Sequence, residues 1–150
     1  AYQFGDNNQW QVGLVAKNLI SKKYETESNP DPETGQKTKT TINLDTQFRS
    51  GISHSTDWTV IAFDIDLIEN DPVAFEAPTQ YASFGAELDL FDTLQFRAGY
   101  RTNLSLADSA VVSAGLGFSP FGAHLDVAVM ANPKDVKREA GAALELGFYF

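Results

Sequence analysis

These 150 residues contain no cysteine, one methionine, two histidines, and only eleven lysines and arginines against twenty acidic residues. Without thiols there is no disulfide framework, no thiolate zinc site and no cysteine nucleophile. A net charge of −9 with scattered cations excludes a phosphate-tracking basic stripe, so no nucleic acid partner is expected. Long hydrophobic runs are missing too. Nothing approaches the roughly 18 to 20 consecutive apolar residues of a membrane-spanning helix, and the first residues show no basic-then-apolar export signal. The mildly polar mean hydropathy does not exclude a β-barrel, whose alternating strands hide a lipid face from any averaging window. The length is that of a single domain, here expected over residues 1–150.

What is present is alternation of period two. In "INLDTQFRSGIS" Ile42, Leu44, Phe48 and Ile52 share one face, with Asn43, Asp45, Gln47, Arg49 and Gly51 on the other. "WTVIAFDIDL" sets Ile61, Phe63, Ile65 and Leu67 against Ala62, Asp64 and Asp66, and "YASFGAELDL" sets Phe84, Ala86, Leu88 and Leu90 against Ser83, Gly85, Glu87 and Asp89. The pattern continues through "WQVGLVAKNLI", "LQFRAGYR", "VVSAGLGF", "FGAHLDVAVMA" and the closing "AALELGFYF". About eight strands result, each near the 9 to 11 residues of a tilted membrane strand. Tight turns at His54–Asp57, Phe91–Thr93 and Ser119–Gly122 alternate with longer connections at Ser21–Thr41, Glu69–Thr79, Thr102–Ala110 and Asn132–Glu139. This predicts an all-β, antiparallel up-and-down transmembrane β-barrel with short turns at one end and long loops at the other. The longest connection, polar and with two prolines, is expected to be mobile.

Alternation alone also fits a soluble ligand-binding β-barrel with its apolar face inward. Eight glycines favour the opposite sense: Gly13, Gly51, Gly85, Gly99, Gly115, Gly117, Gly141 and Gly147 all fall on the polar face. Inside a narrow barrel glycine relieves crowding, whereas on a solvated exterior it only weakens a strand. The apolar face then meets lipid, and Trp10, Trp58, Tyr81, Tyr100 and Tyr149 are expected at the two interfaces. The lumen charges expected from this sense are Asp45, Arg49, Asp64, Asp66, Glu87, Asp89, Arg97, Arg101, His124, Asp126 and Glu145. Such charges must pair across the barrel, since an isolated buried ion is prohibitive. A charged plug is the plainer reading and a selectivity or proton path the alternative.

No catalytic, metal or cofactor site is expected. Asp64 and Asp66 lie about 6 to 7 Å apart on one strand face, but a calcium site wants six or more oxygens and a glycosidase wants a sugar cleft. His54 and His124 have no nucleophile elbow nearby.

The final strand ends on Leu146, Phe148 and Phe150, which resembles the terminal signal of bacterial outer-membrane proteins read by the barrel assembly machinery. "GLVAKNLI", "AFDIDLIEND", "FGAELDLFDTLQFRAGYR" and "SAGLGFSPFGAHLDVAV", before "LELGFYF", together resemble the C-terminal part of the conjugal-transfer TraF-like outer-membrane proteins, relatives of the FadL and PorV type barrels. The resemblance implies a Gram-negative outer-membrane location, contact with lipid and lipopolysaccharide, a possible protein partner at the outer loops, and transport of hydrophobic small molecules. A non-conducting anchor or scaffold in conjugation or secretion is the alternative it leaves. The hatch of the FadL transporters, with its Asn-Pro-Ala motif, has no counterpart here; "ANPKD" at Ala131–Asp135 sits in a late loop. The expectation is thus either a self-closing eight-stranded barrel or the C-terminal part of a larger one.

Overall fold

A computed structural model describes every residue except positions 21, 28, 30–36, 38, 72–76, 138 and 149–150. Strand-forming alternation becomes eleven β-strands: β1 (Tyr2–Phe4), β2 (Trp10–Lys17), β3 (Lys22–Glu27), β4 (Lys39–Leu44), β5 (Gln47–Ser55), β6 (Thr59–Asp66), β7 (Tyr81–Leu90), β8 (Leu94–Asn103), β9 (Val111–Phe118), β10 (Ala123–Ala131) and β11 (Ala140–Phe148). A single 3-10 turn, Asp6–Asn8, is the only helical element among the described residues. Nine strands form one antiparallel sheet in the order β1-β2-β5-β6-β7-β8-β9-β10-β11, and β3 pairs with β4 as a separate ribbon.

The sheet is an up-and-down meander but not a closed barrel, which corrects the predicted closure. Its edges are β1 and β11. Unbroken cross-strand rows carry the two faces across it. One apolar row runs Trp10, His54, Ile61, Ala86, Ala98, Ala114, Val129, Ala142; the next runs Val12, Ile52, Phe63, Phe84, Tyr100, Val112, Ala131, Ala140. Since a one-residue slip would exchange the faces, this register holds the two chemistries apart over the whole width.

Two further expectations are corrected, and the long connection gains a ribbon. The alternating run from Ile42 to Ser53 is not one strand: it breaks at Asp45–Thr46, where β4 ends and β5 begins. Asp45 therefore lies between strands rather than on the polar face of one, and its carbonyl accepts a hydrogen bond from Asn18 Nδ2 at 3.2 Å. The break arises because Thr46 Oγ1 turns back to donate to the Asn18 carbonyl at 2.8 Å, pinning the start of β5 to the end of β2. Within the connection expected to be mobile, β3 and β4 pair over Lys22–Glu27 and Lys39–Leu44, and Glu27 meets Lys39 at 3.2 Å; most of positions 28–38 lie outside the described residues. Finally, Tyr81 shares a face with Ser83 and Glu87 rather than with the apolar girdle, because it opens β7 opposite Asn103.

The tight turns explain the alternation of connection lengths. Leu90–Thr93 closes with Thr93 N–H to Leu90 carbonyl at 3.2 Å, and Pro120–Ala123 with Ala123 N–H to Pro120 carbonyl at 3.0 Å. Their central residues have positive φ: Phe91 (59°) and Asp92 (54°), then Phe121 (50°) and Gly122 (83°). This suits the strand twist. A bulky aromatic at positive φ is an outlier, and both phenylalanines are fully exposed.

Candidate functional site

Two surfaces carry the chemistry, one on each face of the sheet, with a loop cluster at one end. Accessible surface totals 11163 Å², against roughly 7,500 Å² for a compact soluble monomer of this mass. One face of the sheet is open and apolar. Phe84, Phe96, Leu116, Val129, Leu144, Leu146 and Phe148 are exposed, Leu144 by 73%. On the opposite face Gln95 is only 9% exposed, and the Asp66 side chain 19%. Other charged side chains there are more open, at 48% for Arg49, 45% for Arg97 and 75% for Glu145, so what departs from a water-soluble domain is the open apolar face.

The polar face gathers most of the expected charges into two groups. In the first, Arg49 on β5 and Asp66 on β6 are direct cross-strand partners; Arg49 Nε donates to Asp66 Oδ1 at 2.7 Å, and the Tyr81 backbone N–H donates to Asp66 Oδ2 at 2.9 Å. Asp64 lies two residues away with its carboxylate folded over Gly51, where a Cβ would collide with it. In the second, Arg97 Nε donates to Glu87 Oε2 at 2.6 Å while the same guanidinium reaches Asp126 across β9. That reach depends on glycine. Arg97 faces Gly115 and Asp126 faces Gly117, so β9 puts no side chain between them. A Cβ at Gly117 would stand 2.8 Å from Asp126 Oδ1 and 2.6 Å from Gln95 Oε1. His124 approaches Glu145 at 3.4 Å and its ring covers Gly147. Gln95 donates to Asp89 at 3.4 Å.

Gly51, Gly117 and Gly147 thus make room for polar side chains, whereas a Cβ at Gly13 or Gly85 would meet nothing within 4 Å, so crowding does not account for all eight. Arg101 is separate: it lies 5.2 Å over the Tyr81 ring and 3.6 Å from Glu139, at the loop end. Of the expected lumen set, only Asp45 is off the sheet. Leu146 and Phe148 of the expected assembly signal project from the exposed apolar face, and Phe150 lies outside the described residues. Among the described residues no group of three or more histidines and acids is placed to hold a metal ion. Asp66, half of the Asp64/Asp66 pair, is already taken up by Arg49 and Tyr81.

The loop cluster was missed. Asn103 and Asn132 are 4% and 1% exposed, and each clamps two loops. Asn103 Oδ1 accepts from the N–H groups of Gln80 (2.8 Å) and Ser105 (3.1 Å), while its Nδ2 donates to the Pro78 carbonyl at 3.0 Å. Asn132 Oδ1 accepts from the N–H groups of Lys134 (2.9 Å) and Asp135 (3.2 Å), and its Nδ2 donates to the Asp108 carbonyl at 2.8 Å. Asn103 thus ties residues 78–80 to 103–105, and Asn132 ties 108 to 132–135, together one cap among the described residues. Lys134 also pairs with Asp108, whose carboxylate holds the ammonium above the ordinary lysine value. Beneath the cap is a cavity of about 380 Å³ lined by Tyr81, Arg101, Asn103, Leu106, Asn132 and Glu139. The signal for these latches was the asparagine-rich turn chemistry of Asn103-Leu-Ser and Asn132-Pro-Lys, which favours side-chain capping of following N–H groups.

On the apolar face a shallow hollow of about 700 Å³ lies over the alanines Ala86, Ala98 and Ala114, walled by Ile61, Phe96, Leu116 and Val129. Small residues in three adjacent strands create it.

The family model described as "F plasmid transfer operon, TraF, protein" matches residues 2–66, which span β1 to β6. The first part of the sheet is thus similar to that conjugal-transfer family. No curated protein and no solved structure matches the chain.

Proposed function

We propose that the chain is a bacterial outer-membrane β-barrel, or part of one, of the conjugal-transfer TraF-like type related to the FadL and PorV barrels, with its apolar face on lipid and its charged face inward. The observation that carries this reading is the open apolar face: leucines, valines and phenylalanines lie exposed in adjacent strands across the sheet. Lipid accepts such a face, and water does not favour it. The match over residues 2–66 supports the conjugal-transfer side of the reading. Exposed Trp58, Phe91 and Phe121 at the tight-turn end suit an interfacial belt. Leu146, Phe148 and Phe150 would present the terminal signal to the barrel assembly machinery. The linked loops would face outward, toward lipopolysaccharide or a protein partner.

Transport of hydrophobic small molecules is the activity proposed for such a barrel, and no catalysis is assigned to it. The specific observation favouring a non-conducting anchor is the pairing of Glu87, Arg97 and Asp126 across three strands, which fills the polar face. Single-channel conductance and uptake of a hydrophobic ligand separate the two. The apolar hollow is what a soluble ligand-binding barrel would use.

The test is refolding into lipid vesicles followed by gel mobility with and without boiling. The expected result is heat-modifiable migration with strands protected from protease. A folded monomer in plain buffer without detergent would overturn the membrane reading and favour the soluble barrel.

A further inference from the structure

The open sheet has two unequal free edges, and strand direction decides which of them can meet. Alternating directions across nine antiparallel strands leave β1 and β11 parallel, whereas β2 and β11 are antiparallel. β1 covers only Trp10, Gln11 and Val12 of β2, so the far side of Gly13–Lys17 is a free edge. Counting β2 and β5 to β11 gives eight strands, an even number that closes with every neighbour antiparallel.

The sheet is also skewed as closure requires. The row beginning at Trp10, where β2 starts, ends at Ala142, yet β11 runs on to Phe148. At the loop end the skew continues in the same sense: Lys17 pairs with Gln47, but β10 already ends at Ala131, one row past Val129 on the apolar face. Strand ends therefore drift steadily along the strand direction from β2 to β11. Closing a barrel demands such a stagger rather than a level seam. A slide of six residues brings the tight-turn ends level, with Phe148 beside Trp10; four more carry the end of β11 past Trp10–Val12 and onto the stretch that β1 leaves free.

We propose that β11 closes the sheet by pairing with the free Gly13–Lys17 edge of β2, bringing Glu145 beside Lys17. This rests on the membrane-barrel reading above and specifies how such a barrel is completed. The register places Phe148 against Leu14, Gly147 against Val15, Leu146 against Ala16 and Glu145 against Lys17. Each face meets its own kind: Phe148, Leu146, Leu14 and Ala16 belong to the exposed apolar face, and Glu145 and Lys17 to the polar one. Lys17 is the cation of β2 and Glu145 the acid of β11. A register shorter by two residues would set Phe148 against Val12, which β1 already covers. The seam hides the two rows of unpaired amides that an open sheet would carry into hydrocarbon.

The cysteine-free sequence makes the test direct. In the Lys17→Cys/Glu145→Cys chain refolded in vesicles, mild oxidation is expected to give a reducible, monomeric, faster-migrating species in most molecules. Charge exchange checks that the contact forms without cysteines: Lys17→Glu or Glu145→Lys alone should lower the temperature at which heat-modifiable migration is lost, and the two together should restore it. Disulfide-linked dimers as the sole product, or no cross-link in a chain that is protease-protected in vesicles, would overturn the closure while leaving the membrane reading intact. A monomeric cross-link formed in plain buffer by a chain that does not enter vesicles would support closure and overturn the membrane reading instead.

Discussion

Val127→Arg is expected to destabilise the vesicle-folded protein by about 2 to 4 kcal/mol, the cost of a cation on a lipid-facing strand near the bilayer midplane. Val127 is the central residue of β10, lies on the apolar face between Leu116 and Leu144, and is 43% exposed. Its exposure is what makes the experiment decisive. At an exposed position facing water the same substitution would stay within about 0.5 kcal/mol. The measurement is the urea midpoint of heat-modifiable migration in vesicles for Val127→Arg against the unsubstituted chain. A shift near zero would place that face in water.

The second large effect is at Asn132. Its side chain is buried and its three hydrogen bonds hold the Lys134 and Asp135 amides and the Asp108 carbonyl. Asn132→Ala removes these three hydrogen bonds from a buried side chain, and the loss of such buried bonding costs about 1 to 3 kcal/mol. A loss of about 2 kcal/mol in the urea midpoint is expected, with new protease cleavage confined to the 104–110 and 132–139 connections. Asn132→Asp keeps the acceptor toward both amides and should recover part of the loss. An unchanged midpoint in Asn132→Ala would show that the loops do not depend on this latch.

Why these features differ in legibility follows from what alternation encodes. Strands β5 to β11 were readable because each sets large apolar residues against glycine, charge or amide, and the three tight turns are bounded by that pattern. β3 and β4 were not, since "KKYETE" is polar on both faces and the ribbon is held by main-chain pairing to β4. Asp45 looked like a lumen charge because the alternating pattern continues straight through Asp45–Thr46. What breaks the strand is a contact with Asn18, 28 residues from Thr46 in sequence, which no local period can show.

The candidate site divides in the same way. Which residues share a face is set by period two, so Arg49, Asp66, Glu87, Arg97 and Asp126 fall on one side of the sheet. Which of them pair depends on register. Arg97 meets Glu87 because β7 and β8 turn at Phe91–Thr93, and it reaches Asp126 only because Gly115 and Gly117 leave β9 bare. Asn103 and Asn132 were overlooked because an asparagine in a loop looks solvated until its partners are known. Closure was expected from the strand count, yet the sheet is open; strand count fixes how many neighbours are needed, not where the last edge is satisfied.

The central claim is the sense of the two faces, and Val127 and its neighbour Ala128 test it on one strand. Single cysteines at the two positions, introduced into a chain that otherwise has none and labelled with a fluorophore, are read in vesicles of brominated lipid. The account predicts strong quenching at 127 and little at 128, because adjacent residues on a strand face opposite sides. Quenching at 128 rather than 127, or at neither, would contradict it.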